Sequence, residues 1–281
     1  MDKVLLKSFS KINIGLKVFN KRADGYHNIH TIFQEIDFYD NIMLKKRNSG
    51  CFFISNVDWL NNNESNLCVK AWQCLVDRFG IAGINIELQK NIPPGSGLGG
   101  GSSNAACILK GLIQLYNLNI SLNDLLKIGS SIGADVPFFI KGGIQYGKGV
   151  GNMLTSLKIN LPFTVLLVFP NCTINTRWAY SQVRNKLEIP TKAVNFADLI
   201  GKDSIPFQLF ENDFEKIVFS TYPEIGVIKS KLLDCNARFA SLSGSGSTVF
   251  GLFSNEADAI SAQLLFSESN KAIITQPLSI R

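Results

Sequence analysis

Residues 93–104 read Pro93-Pro94-Gly95-Ser96-Gly97-Leu98-Gly99-Gly100-Gly101-Ser102-Ser103-Asn104, with five glycines in the seven positions from Gly95 to Gly101. Backbone amides in such a turn can approach an anion with no side chain in the way. A helix that starts directly after it adds a dipole favouring negative charge. The alternating strand Ile84-Asn85-Ile86-Glu87-Leu88 leads in. A helix starting near Ser102 or Ser103 leads out, with Ala105, Ala106, Leu109, Leu112 and Ile113 on one apolar face. This arrangement suits a polyphosphate. A plain linker has no need of so many glycines, each costly to order.

Three kinds of phosphate loop must be separated. Walker A ends in Gly-Lys-Ser/Thr, whereas this loop ends Gly-Gly-Gly-Ser-Ser, which excludes it. Gly95, Gly97 and Gly100 do satisfy G-x-G-x-x-G, the dinucleotide fingerprint. The acidic residue expected about 20 positions on, after a second strand, would have to be Asp124, which falls inside a predicted helix. The protein-kinase loop needs a strand lysine and H-R-D and D-F-G motifs, and none is present.

The elements that must position this loop follow from periodicity. Residues 4–20 alternate as a strand, with Ile12, Ile14, Leu16 and Val18 on one face and Lys11, Asn13, Gly15 and Lys17 on the other. A turn is expected at Ala23-Asp24-Gly25. Strands are expected at about 29–38 and 41–47, separated by Tyr39-Asp40-Asn41, and Asn61-Asn62-Asn63 reads as an exposed loop. Residues 66–79 suit a helix. Ser121 opens another, with Asp124 as its capping partner, and Gly133 ends it. The apolar residues 136–140 read as extended. A boundary is expected between Gly151 and Pro162, giving domains 1–158 and 159–281. Beyond it come a strand (163–169), a helix from near Thr176, and a second glycine loop, Ser243-Gly244-Ser245-Gly246-Ser247, feeding the strand Thr248–Phe253.

Composition narrows the class. The chain has 281 residues, 46% hydrophobic and 18% charged, which supports two well-buried lobes rather than disorder. Net charge is +6, a field that favours polyphosphate ligands. The tightest basic cluster, Lys45-Lys46-Arg47, is a strand-end triplet and no nucleic-acid surface. Six cysteines without a C-x-x-C pair, and only two histidines, form no recognisable zinc site. Reduced thiols, no secretory segment and no apolar run of about 20 residues point to a cytoplasmic chain without a membrane span. Oligomeric state is not legible.

The segment Pro93–Ala106 resembles the central motif of the GHMP kinases, the galactokinase, homoserine kinase, mevalonate kinase and phosphomevalonate kinase superfamily. Ser243–Ser247 resembles that superfamily's third motif. Lys11-Ile12-Asn13, Arg22-Ala23-Asp24-Gly25-Tyr26-His27 and Gly133-Ala134-Asp135-Val136-Pro137-Phe138 resemble one branch of it. That branch phosphorylates the 2-hydroxyl of 4-(cytidine 5'-diphospho)-2-C-methyl-D-erythritol in non-mevalonate isoprenoid precursor biosynthesis. The resemblance implies a two-lobe α+β fold with the active site in the cleft between lobes. The N-terminal lobe would be ribosomal-protein-S5-domain-2-like and the C-terminal lobe ferredoxin-like. It also implies ATP as donor, with Mg²⁺.

What the resemblance implies for single residues is as follows. Pro94, Gly95, Ser96, Gly97, Leu98, Gly99, Gly100, Gly101, Ser102 and Ser103 would bind ATP. Ser102 or Ser103 could reach Mg²⁺, although either could equally be a helix cap, and no protein metal site is expected. Asp135 would orient or deprotonate the acceptor hydroxyl, where an isolated loop aspartate would only cap local amides. Lys11 would face Asp135 and the transferring phosphoryl group; the bland alternative is a solvated strand lysine. Asn13 points the same way by strand alternation. Tyr26 and His27 resemble a cytosine-recognition pair, against half-buried packing and a surface histidine. Tyr180, with Trp178 as rival, would supply the opposite stacking face. Ser243 and Gly244 would approach the substrate phosphates, unless the loop is only a tight turn.

Other acceptors (mevalonate, homoserine or a sugar), a nicotinamide-dependent oxidoreductase and a non-catalytic phosphate binder are the alternatives. A thermal-shift comparison separates donor classes: ATP–Mg²⁺ is expected to raise the unfolding temperature and NAD(H) to leave it unchanged. The reverse outcome identifies the oxidoreductase.

Overall fold

The computed structural model describes residues 2–61, 65–183, 195–202, 204–267 and 269–279. The chain divides into two compact units, Met1–Ser10 with Phe38–Pro94 and Gly99–Lys141, and Lys11–Asp37 with Gly95–Leu98 and Gly142–Arg281. They interleave in sequence because two long strands, β1 (Lys3–Lys21) and β2 (His27–Arg47), each begin in one unit and end in the other.

In the first unit β3 (Cys51–Ser55) is followed by α1 (Asp58–Asn61), α2 (Leu67–Phe79) and β4 (Gly83–Gln89). β4 runs parallel to β3 and antiparallel to the end of β2, with Asn41 opposite Gln89 and Arg47 opposite Gly83. Then come α3 (Gly100–Tyr116), α4 (Leu122–Ile132) and α5 (Val136–Lys141). α3 packs on α2 and α5 and buries Ala105, Ala106, Ile108, Leu109 and Leu112. It also lies hard on the strands: a methyl at Gly111 would sit 2.4 Å from Leu6 and 2.7 Å from Leu44. Ser121 caps α4 by accepting the Asp124 amide at 3.1 Å, as expected.

The second unit holds the end of β1, the start of β2, β5 (Ile144–Lys148) and β6 (Met153–Ser156). β2 pairs β5 antiparallel, Thr31 opposite Gly147, and β5 pairs β6 antiparallel. Next come β7 (Thr164–Phe169), α6 (Thr176–Gln182), α7 (Phe196–Ile200), α8 (Glu215–Thr221), α9 (Pro223–Asp234), β8 (Phe239–Leu242), β9 (Val249–Phe253), α10 (Glu256–Ser267) and β10 (Lys271–Thr275). These four strands form an antiparallel sheet in the order β10-β7-β9-β8, with α9 and α10 packed on it. Counted within that sheet, the order is 4-1-3-2, the ferredoxin-like arrangement that the family resemblance implied. β7 is buried at all six positions.

Three expectations are corrected. β2 is one unbroken strand, because the buried Asp40 takes hydrogen bonds within the unit and needs no turn. Residues 136–140 are helical. A five-residue apolar run carries no decisive period, and Pro137 stands in the helix's first turn, where its missing N–H costs nothing. α3 starts at Gly100, before either serine. Of the Asn61–Asn63 loop, Asn61 ends α1 and the other two lie outside the described residues. Among the described residues no helix is long and apolar enough to cross a membrane. None of the six cysteines is joined in a disulfide, and burial pushes the Cys68 thiol up to about 12.

Candidate active site

In the second unit Lys11 is buried on β1, which excludes a solvated strand lysine. Its Nζ donates to Asn13 Oδ1 at 2.5 Å and to the Gly97 carbonyl at 2.7 Å. Its amide donates to the Leu98 carbonyl at 3.0 Å. A buried ammonium is tolerable only where oxygen dipoles or charges replace water, and these contacts supply part of that. Asn13, on the same strand face, donates to Thr31 Oγ1 at 3.0 Å, and Thr31 donates to the Gly15 carbonyl at 2.7 Å.

The Ser243 loop meets the same point. Ser243 Oγ donates to the Gly97 carbonyl at 3.0 Å. Gly97 has φ +78°, and a methyl there would lie 2.0 Å from the Ser243 carbonyl. Only glycine fits, because of protein backbone and conformation together. A methyl at Gly244 would stand 3.4 Å from Asn13 Oδ1, the Gly97 carbonyl and Lys11 Nζ. The Ser96 carbonyl accepts the Thr248 amide at 3.2 Å. Lys11, Asn13, Gly97, Ser243 and Gly244 therefore form one constellation.

A second group lies in the same unit. His27 is buried, with Nδ1 2.9 Å from the Phe19 carbonyl. A carbonyl only accepts, so Nδ1 carries a proton and Nε2 is an acceptor in the neutral ring. The Tyr180 ring lies 5.5 Å from it, tilted 31°, and is itself braced edge-on by Phe214 at 4.8 Å. Trp178 instead meets Tyr222, 5.8 Å away. Tyr26 is 61% exposed. Its loop is ordered by Asp24, which accepts the Tyr26 amide at 3.1 Å and pairs with Arg22 at 2.9 Å. The Arg22 hydrogen bond, then that of the Tyr26 amide, hold the Asp24 carboxyl below its usual range.

In the first unit the loop ends on α3. Gly99, its N-cap, provides no side-chain hydrogen bond, so the first-turn amides are without a side-chain cap. Ser103 is buried and donates to the Phe9 carbonyl at 2.5 Å, with Ser8 Oγ 2.7 Å away. Its hydroxyl is thus engaged inside the unit, while Ser102 is half-buried. A methyl at Gly101 would find only Leu67 Cδ1, 3.8 Å away. Pro94 and Gly95 are exposed, and Ser96 and Leu98 are buried. Asp135 is half-buried in the turn before α5. It lies two residues after Gly133, where a methyl would stand 3.6 Å from Ser102 Oγ.

Comparison with known proteins decides the family. Residues 66–143 match the GHMP kinases N terminal domain, and residues 196–270 the GHMP kinases C terminal domain. The chain belongs to the GHMP kinases. It is similar to the 4-diphosphocytidyl-2-C-methyl-D-erythritol kinase of Prosthecochloris aestuarii, 40% identical over 98% of each chain. To that of Chlorobium chlorochromatii it is 43% identical, over 91% of this chain and 90% of the other. A solved 4-(cytidine 5'-diphospho)-2C-methyl-D-erythritol kinase superposes with TM-score 0.80 at 30% identity, covering 98% of this chain and 99% of that one. A homoserine kinase from Cytophaga hutchinsonii shares the fold, with TM-score 0.76 at 16% identity over 99% and 96% of the two chains. The α+β architecture and ATP-dependent small-molecule phosphotransfer follow from this membership.

In this GHMP kinase the run Asn212-Asp213-Phe214-Glu215 carries supporting roles that sequence reasoning missed. Asn212 Nδ2 donates to the Leu242 carbonyl at 2.8 Å and the Gly244 carbonyl at 2.9 Å. Glu215 accepts from the Leu242 amide at 3.0 Å and from Ser241 at 2.9 Å. Asp213 accepts the Val18 amide at 2.9 Å. The run thus fastens the Ser243 loop and β1. Three polar residues around one phenylalanine, between apolar stretches, were the available signal.

Gly101 separates ligand demands from protein demands, since no protein atom crowds it. Gly101→Ala is expected to raise KM for ATP about tenfold or more. Thermal unfolding should show stability unchanged or raised by up to about 1 kcal/mol, alanine being the better helix former. Unchanged KM would place the phosphates elsewhere.

Proposed function

We propose that this chain transfers the γ-phosphoryl group of ATP to the 2-hydroxyl of 4-(cytidine 5'-diphospho)-2-C-methyl-D-erythritol, a cytoplasmic step of non-mevalonate isoprenoid precursor biosynthesis. The observation that carries the acceptor is the pairing of His27 with Tyr180. A planar base can stack on the Tyr180 and Tyr26 rings, while His27 meets its polar edge. Mevalonate, homoserine and simple sugars carry no such base. Relatives 40–43% identical over nearly the full chain bear the matching name.

Phosphoryl transfer is mainly positioning and charge stabilisation. The amides of the loop ending in Gly99 to Ser102 hold the ATP phosphates. Lys11, fixed by Asn13 and the Gly97 carbonyl, supplies positive charge to the phosphoryl group in transit. Asp135 orients the acceptor hydroxyl and takes its proton. Ser243 and Gly244 approach the substrate phosphates. Among the described residues no cluster of His, Cys, Asp or Glu can hold a metal ion. In this reading Mg²⁺ would be carried on phosphates and water, with the half-buried Ser102 hydroxyl as the chain's contribution. Bound there, Mg²⁺ would neutralise phosphate charge. In this reading residues 1–158 form the ATP-binding lobe and 159–281 the second lobe, with the two family segments on either side of the boundary.

An ATP-consumption assay with the cytidyl substrate, mevalonate, homoserine and galactose tests the acceptor. Turnover is expected with the cytidyl substrate alone, and turnover only with another acceptor contradicts the proposal. Asp135→Asn should cut kcat about 100-fold or more with circular dichroism unchanged; near-normal kcat removes Asp135 as base.

A further inference from the structure

Asp40 has no part in the roles above, yet its carboxylate accepts four hydrogen bonds inside the first unit. Its side chain is fully buried. Oδ1 accepts the amides of Asn91 at 2.7 Å and Ile92 at 2.8 Å. Oδ2 accepts Lys90 Nζ at 2.5 Å and Asn104 Nδ2 at 2.8 Å. Asn91 and Ile92 stand immediately before the glycine loop, and Asn104 stands immediately after it, on the first turns of α3. One carboxylate therefore spans both flanks of the loop.

The surroundings reinforce this span. Asn104 also donates to Ser8 Oγ at 3.0 Å, and Ser8 lies 2.7 Å from Ser103 Oγ. Ser103 closes the chain by donating to the Phe9 carbonyl. Lys90, 5% exposed, neutralises the carboxylate and lies against the start of α3: a methyl at Gly100 would stand 2.8 Å from its Nζ. Asn91 Nδ2 donates to the Tyr39 carbonyl at 2.9 Å, so the strand carrying Asp40 is held to the loop entrance twice. Buried charge is expensive unless every lone pair is used, and here four donors use them. A core with only packing to satisfy would be at least as stable with apolar residues in these places. The bonded set instead fixes where the chain enters and leaves the turn.

We propose that Asp40 is a positioning residue for nucleotide binding. By clamping the Asn91 and Ile92 amides to Asn104, it fixes the distance between the two ends of the phosphate loop. The first-turn amides of α3 then point at the phosphates before ATP arrives. This deepens the kinase reading and rests on the glycine loop being the ATP-phosphate site. Electrostatic preorganisation of this kind acts on nucleotide affinity through backbone geometry, without Asp40 touching the ligand.

The test uses the full chain and two variants. Asn104→Ala removes the Asp40 link to α3, together with the Asn104 bond to Ser8, and leaves the Lys90 ion pair and both backbone clamps in place. Asp40→Asn turns an acceptor into a donor facing Lys90 and Asn104. ADP affinity is measured by calorimetry, and KM for ATP and for the acceptor by steady-state kinetics, beside thermal unfolding. Asn104→Ala is expected to weaken ADP binding and raise KM for ATP by about three- to tenfold, with acceptor KM within twofold of the parent. Asp40→Asn should show the larger effect where it folds. The swap Asp40→Asn with Asn104→Asp, which restores one carboxylate and one amide across the gap, should recover part of the loss. Wild-type ADP affinity in Asn104→Ala overturns the assignment. So does an equal rise in both KM values accompanied by lost thermal stability, the pattern of general loosening. Failure of the parent chain to bind ADP at all overturns the phosphate-loop reading as well, so the two failures are distinguishable.

Discussion

The Gly97 carbonyl is the contact on which the second unit's site depends. It receives Lys11 from β1 and Ser243 from the loop before β9, so three segments distant in sequence converge on one oxygen. The convergence is possible only because position 97 has no side chain: the Ser243 carbonyl occupies the place a Cβ would take. Once this contact is made, the Lys11 ammonium has a fixed position. A cation so held can act on a developing phosphoryl charge without the reorganisation that a solvated lysine would require.

The glycines of one short run thus serve different masters. Gly97 answers to the Ser243 backbone, and Gly100 to the Lys90 ammonium and Ile92. Gly101 answers to no protein atom closer than 3.8 Å. A loop whose glycines were all dictated by packing would bind nothing, and one with none so dictated would not hold a shape. The polar clamps follow the same division. Asp40 and Asn104 hold the loop's flanks in the first unit, and Asn212 and Glu215 hold the partner loop in the second.

Much of this was legible in the sequence, for identifiable reasons. The glycine loop and the Ser121 cap are local signals, and local signals survive folding; the ferredoxin-like sheet was expected only from the family resemblance. Asn13 beside Lys11 followed from strand alternation alone. What escaped depends on partners far along the chain. Tyr39-Asp40-Asn41 looks like a turn until Asn91, Ile92 and Asn104, more than fifty residues later, satisfy Asp40 inside a strand. The run 136–140 was too short for its period to separate helix from strand. Tyr180 was preferred on paper with Trp178 as its rival, and only the packing of α6 decides which ring meets His27. The burial of His27 was likewise invisible, as was its hydrogen-bond partner, the Phe19 carbonyl on a neighbouring strand.

The central claim is that the loop's amides, at the start of α3, are the nucleotide-phosphate site. Amide hydrogen exchange of the unmodified protein with and without saturating ADP–Mg²⁺ reads it at single backbone positions. The account predicts markedly slowed exchange at Gly99 through Ser102 on nucleotide binding. Unchanged exchange across those amides, with protection appearing in other segments instead, would contradict it.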